Sequence, residues 1–144
     1  MIPEKLYKDI LKNIPIACVD VCIVYNGCIL LVKRNTPPAK DQYWIPGGRV
    51  QKDELLITCA HRKALEETGI LCNVGPIIHT QETLFNDGPH DIPVHSINVC
   101  FLLYPIDAVN VKLDSYSSDY KWVNKIENKL HHYVKICLSK AGLK

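Results

Sequence analysis

The sequence predicts an α/β fold in which a mixed β-sheet is packed between helices. Three observations carry this. Segments that read as strands interleave with segments at helical spacing. Asn26-Gly27 joins two β-prone runs and marks a tight hairpin, so part of the sheet is antiparallel. Glu54 to Thr68 is the strongest helix, and its small residues Cys59, Ala60 and Ala64 would let it lie close to a sheet.

The elements follow in order. Ile2 to Asn13 places Leu6, Ile10 and Leu11 on one helical face. Ile16 to Tyr25 is rich in β-branched residues and reads as a strand, with Cys28 to Lys33 returning after the hairpin. Asn35 to Gln42 holds Pro37 and Pro38 and reads as a loop. Trp44 to Gly48 is a short strand ending in a turn. After the Glu54–Thr68 helix, Gly69 is a C-terminal stop. Cys72 to Phe85 reads as one or two strands, Asn86 to Pro93 as a polar loop, Val94 to Tyr104 as a long strand and Tyr120 to Val123 as a short one. Leu130, Val134, Cys137 and Leu138 mark a terminal helix.

A chain of 144 residues fits one domain, 1–144, with one substantial core. A net charge of +2 is too small to argue for nucleic acid or an acidic membrane surface as partner. No apolar run is long enough to span a bilayer, and the first residues lack the order of a signal peptide. Seven cysteines with no C-x-x-C pair read as reduced thiols inside apolar runs rather than a zinc site. A cytoplasmic location is therefore expected.

Chemistry concentrates between Gly48 and Ile70. Arg62 and Glu66 stand four apart on a helix and share a face, with Glu67 adjacent. Two neighbouring carboxylates near a helix C-terminus face the negative end of the macrodipole and call for positive compensation. Arg62 supplies part, and a divalent cation would supply more. Carboxylate oxygens are also the donors magnesium prefers.

The run Gly48, Glu54, Arg62, Glu66, Glu67, Gly69, Ile70 resembles the Nudix box, G-x5-E-x7-R-E-U-x-E-E-x-G-U, with U a bulky apolar residue. Lys63 stands where the box has glutamate, and Ala64 is small for its position. The resemblance implies a Nudix-type α/β/α sandwich with a mixed sheet, a loop-helix-loop catalytic motif, and hydrolysis of a nucleoside diphosphate linked to another group. Lys33 to Ala39, Tyr43 to Glu54, Asp20 and Asp119 to Trp122 look closer still to the GDP-mannose mannosyl hydrolases.

That resemblance implies magnesium (or manganese) held by the Gly47 carbonyl, Glu67 and Glu66. It implies Arg34, Arg49 and Arg62 around the diphosphate and Asp20 at a further site position. Gly48, Glu54 and Gly69 would be structural members of the motif. The subfamily's Gln-His pair aligns with Tyr116 and Ser117, neither of which can take the roles of metal ligand and base. His79, Glu82, Asp87, His90, Asp91 and His95 are other candidate bases, and His90 with Asp91 in their Gly/Pro-bordered loop are preferred.

Lysine at 63 removes a negative charge from the metal's reach and adds a positive one. One magnesium rather than two or three is expected, with attack at the sugar carbon. The expected partner is a small nucleotide, GDP-mannose-like, with a homodimer left open. Two other readings compete. One is a pyrophosphatase attacking phosphorus of another nucleoside diphosphate derivative or a triphosphate, including capped RNA. The other is a non-catalytic nucleotide-binding module.

Overall fold

The computed structural model describes every residue from Met1 to Lys144. Helix α1 (Glu4–Asn13) starts two residues later than its apolar spacing predicts. Pro3 explains the delay, because a residue before proline is pushed out of helical backbone. Strands β1 (Ile16–Tyr25) and β2 (Cys28–Arg34) form the expected hairpin. Asn26 and Gly27 both have positive φ, 51° and 75°, as a type I′ turn requires.

The predicted Trp44–Gly48 strand is two pieces, β3 (Tyr43–Trp44) and β4 (Gly47–Arg49). Pro46 has no N–H to continue a ladder, and its carbonyl instead accepts from the Val21 N–H at 2.8 Å. Helix α2 is Leu56–Thr68, so Glu54 lies outside it rather than at its start. Gly69 closes α2 in left-handed backbone, φ 72°, with its N–H on the Leu65 carbonyl. Lys112 packs so near that a Cβ there would come within 3.1 Å of it.

Strand β5 (Cys72–Phe85) is continuous, with two register irregularities against β6 (Val94–Pro105). Between them Pro89–Asp91 forms a short turn in which His90 and Asp91 hold left-handed backbone. Strand β7 (Ser117–Val123) begins three residues earlier than predicted, and α3 (His132–Lys140) is capped by the His131 ring accepting from the Tyr133 N–H.

The seven strands form one mixed sheet of order β3-β2-β1-β6-β5, with β4 also on β1 and β7 on β2. Only β1 and β6 run parallel. Alternation along β1 divides the core. Val19, Val21 and Ile23 join Cys59, Ala60 and Ala64 of α2 in one apolar cluster. Cys22 joins Tyr133, Val134, Cys137 and Leu138 of α3 in the other. The result is an α/β/α sandwich with a loop-helix-loop between β4 and β5, as expected.

All seven cysteines are free thiols, five buried and Cys18 and Cys28 half-buried. No helix is long and apolar enough to cross a membrane.

The close approach of α2 to the sheet rests on the small, fully buried side chains of Cys59, Ala60 and Ala64. Ala64→Leu should therefore lower stability by about 1–3 kcal/mol, read as a lower urea midpoint. An unchanged midpoint would mean this contact has slack.

Candidate functional site

The site is built on one bracing interaction. Glu54 sits in the turn before α2, where its Oε1 accepts from the Gln51 N–H at 3.0 Å. Arg62, two turns into α2, forks onto it: Nε donates to Oε2 at 2.6 Å and Nη2 to Oε1 at 2.9 Å. The same Nη2 reaches the Arg49 carbonyl at 3.1 Å. A bidentate pair of this kind fixes geometry as well as adding energy. It clips β4, the following loop and α2 into one unit. The Arg62 fork holds the Glu54 carboxyl down at about 2.

The brace sets Gly47 and Gly48 against the last turns of α2 and against β1. A Cβ at Gly47 would collide with the Asp20 side chain and the Val19 carbonyl, so only glycine allows this approach. A Cβ at Gly48 would lie 2.7 Å from Cε of Lys63. The Lys63 stem thus runs across Gly48, and its ammonium ends 3.1 Å from Oε2 of Glu67 and 3.5 Å from Oε2 of Glu66.

Glu66 and Glu67 differ sharply. Glu66 is exposed, and Nη1 of Arg62 donates to both its oxygens at 3.2 and 3.3 Å. Glu67 is only 6% exposed. Its Oε2 is buried without a well-aligned hydrogen-bond donor; the Lys63 ammonium is close enough to attract it but does not complete a hydrogen bond. Burial lifts the Glu67 carboxyl to about 7 against the opposing pull of Lys63. Burial is the largest influence on Lys63 and opposes its charge, and the Glu67 and Glu66 carboxylates together outweigh it. Of these coupled directions, the rise at Glu67 follows from its burial, which the Lys63 ammonium only partly offsets. No three His, Cys, Asp or Glu side chains converge as a ready metal cluster.

Asp20 is not on a solvated strand face. It is 6% exposed, and Oδ2 accepts from the Tyr133 hydroxyl of α3 at 2.7 Å. Burial raises its carboxyl to about 6, with Tyr133 and Arg34 opposing. Arg34 is half-buried, with Nε on the Pro38 carbonyl at 2.6 Å. It lies within the electrostatic reach of Glu67, Asp20 and Asp87. Arg49 follows the two glycines on β4 and is exposed. Gly47 stands opposite Asp20 on β1, Arg34 lies in the field of both Asp20 and Glu67, Arg49 pairs in register with Cys18 on the same strand, and Glu66 lies beside Glu67 on α2.

His90 stands apart from the carboxylates. Its Nδ1 is 3.5 Å from Glu4 and its ring meets the edge of Tyr7, both on α1; it neither hydrogen-bonds nor ion-pairs with Glu66 or Glu67. His95 pairs with Glu82, and His79 with Gln81. Tyr116 is exposed and Ser117 buried.

Three contributors went unnoticed in the sequence. Tyr133 lies inside an apolar helix pattern that gives no hint of its hydroxyl's partner. Tyr7 falls four before Leu11 on the apolar face of α1 and could have been found there. Asp114, whose charge helps keep the Glu67 carboxyl high, sits in a stretch with no pattern.

Removing Arg62 strands the Glu54 carboxylate, so Arg62→Ala should lower stability by about 1–3 kcal/mol. Because the folded Glu54 carboxyl lies below its usual 4.5, the stability it adds is present above pH 4.5. That stability is lost as pH falls toward about 2. The stability difference between the wild type and Glu54→Gln, from urea melts across this window, should shrink with acid. A constant difference would refute the brace.

Comparison with known proteins agrees with this geometry. The model of the NUDIX domain family matches residues 15–136. The low-salt glycan biosynthesis protein Agl8 of Haloferax volcanii is 29% identical over 135 residues, covering 92% of this chain and 86% of that protein. The ADP-ribose pyrophosphatase of Methanocaldococcus jannaschii is 30% identical over 89 residues, 62% of this chain and 50% of that protein, so the match spans half of that relative's length. The crystal structure of a MutT NUDIX hydrolase from Burkholderia pseudomallei superposes with a TM-score of 0.75 at 20% identity, over 89% of this chain and 98% of that one. A family match over most of the chain, on a sandwich whose box helix is braced by Glu54 and Arg62, establishes that the chain belongs to the Nudix family of hydrolases.

Proposed function

We propose that the whole chain acts as one catalytic domain, a magnesium-dependent hydrolase of nucleoside diphosphate sugars that cleaves at the sugar carbon. The observation that carries this reading is Glu67, a buried carboxylate with an oxygen lacking a proper donor, beside an ammonium rather than another carboxylate. A hard cation suits such an oxygen. Magnesium is commonly bound by one or two carboxylates, with substrate phosphate and water completing its shell. Glu67, Glu66 and the Gly47 carbonyl would hold it, and manganese can substitute. When bound it would neutralise charge on the diphosphate and on the departing nucleoside diphosphate.

Lys63 decides how many cations enter. Its ammonium already stands against both glutamates, so a second divalent ion would meet a positive charge. Direct attack on phosphorus draws on a two-metal clamp, whereas departure of a nucleoside diphosphate from carbon needs charge stabilisation on one side only. Arg34 and Arg49 supply guanidinium edges for the phosphate oxygens. Water adds to the sugar carbon, its proton passes to a base, and the carbon–oxygen bond to the diphosphate breaks. His90, with Asp91, is kept as the candidate base, in the loop that reaches Tyr7 and through it Arg49. The glycan-biosynthesis name of the Haloferax relative supports a sugar nucleotide.

Glu67→Gln should reduce turnover at limiting magnesium by at least ~100-fold. The fold should survive, since glutamine keeps the size of Glu67 and Glu66 still faces the Lys63 ammonium. Near-normal turnover would remove Glu67 from the metal site. Nucleoside diphosphate sugars, GDP-mannose among them, should outperform nucleoside triphosphates. In oxygen-18 water the label should enter the free sugar. Label in a nucleoside monophosphate or sugar phosphate would place attack on phosphorus and overturn the reading of Lys63.

A further inference from the structure

The side chain of Arg49 makes no ion pair and no hydrogen bond with another residue. Its guanidinium carbon instead lies 4.3 Å from the centre of the Tyr7 ring on α1. Tyr7 is held from its other neighbours. The His90 ring meets it nearly perpendicularly, 76° at 6.2 Å, and His90 in turn stands 3.5 Å from Glu4, one turn before Tyr7. His90 and Asp91 keep left-handed backbone without being glycine, a conformation that persists where surroundings over-determine it. The β5–β6 loop, α1 and β4 thus meet at one aromatic ring.

This junction borders the candidate site. Cys18 pairs in register with Arg49 and lies in the field of Asp20, Arg49 and Arg34, while Tyr7 lies in that of Cys18 and Tyr116. Burial keeps the Tyr7 hydroxyl neutral. A neutral ring attracts a guanidinium through its face and leaves the edge N–H groups free. Those edge groups are what bind a phosphate in a bidentate way. A lysine could not divide its contacts in this manner, having neither a flat face nor a fork.

We infer that Tyr7 is a positioning residue. Its ring, braced by His90 and Glu4, holds the Arg49 guanidinium by the face so that its edge is preorganised for the diphosphate of a nucleotide. The N-terminal helix is then part of the binding site, and His90 supports binding through Tyr7. This rests on Arg49 being a diphosphate ligand, as proposed above.

The test is a double-mutant cycle on binding of GDP and of ADP, measured by calorimetry with magnesium present. Arg49→Ala should weaken binding by roughly ten- to a hundredfold. Tyr7→Leu should weaken it by about three- to tenfold, and Tyr7→Phe, which keeps the ring face, should not. In the Arg49→Ala background Tyr7→Leu should have no further effect. His90→Ala should show a smaller loss that also vanishes without Arg49, which keeps the inference testable if Tyr7→Leu does not fold. Manganese binding without nucleotide should be the same in all variants.

Wild type binding neither nucleotide, or Arg49→Ala binding as tightly as wild type, would overturn the diphosphate assignment underneath. A normal loss in Arg49→Ala together with an unaffected Tyr7→Leu, or with additive losses in the double variant, would overturn the inference alone.

Discussion

The fork of Arg62 onto Glu54 is the contact on which the remaining geometry depends. Neither residue touches the buried oxygen of Glu67. Yet β4, the loop after it and α2 are separate pieces of chain, and this pair joins them at three points: the Glu54 carboxylate, the Gln51 N–H and the Arg49 carbonyl. Once they are joined, Gly47 lies against Asp20 and the Val19 carbonyl too closely for any side chain, and the Lys63 stem lies across Gly48. Small changes in that joint would be felt where positions matter most, because a preorganised site loses much of its effect when displaced by about an ångström.

The electrostatics follow from enclosure. A carboxylate taken out of water becomes reluctant to ionise, and an ammonium beside it restores only part of the loss. Glu67 and Asp20 both show this, each above its ordinary range and each with a cation in its field. Under the proposed function, the enclosed Glu67 carboxylate would gain from a stronger positive charge. Glu54 is the opposite case, fully satisfied by Arg62 and the Gln51 N–H. Within the motif, then, Glu54 is an acid satisfied by its partners and Glu67 an acid kept above its ordinary range by enclosure.

Much of this was legible in the sequence because it is local. Helix α2, its glycine stop and the Asn26-Gly27 hairpin are written in spacing and turn chemistry, and so is the placement of small residues beneath α2. The Glu54–Arg62 pair follows from the box. Elements defined by proline were less legible: Pro3 delayed α1, and Pro46 broke one strand into two. Contacts between distant segments left no trace in any pattern. Nothing in Tyr133 announces that its hydroxyl will meet Asp20, since a tyrosine among Val134, Cys137 and Leu138 reads as core. His90 is preferred as a base because it lies in a polar loop. Its neighbours on α1 could be known only once the loop had been placed over that helix.

The pairing of β1 with β6 has a consequence for synthesis. These strands are parallel, Ile16 opposite Ser96 and Ile23 opposite Leu103, and all of α2 and β5 intervene. Strand β1 carries Asp20 and receives β4, so the central strand of the site lacks one of its two edges until β6 has left the ribosome. Until then the apolar faces of β1 and the long β5 have no complete partner. Parallel closure over so long a stretch is slow, and chains waiting for it expose surfaces that bind one another. The order of translation therefore makes the nascent chain most vulnerable to association in the interval between its box helix and its sixth strand.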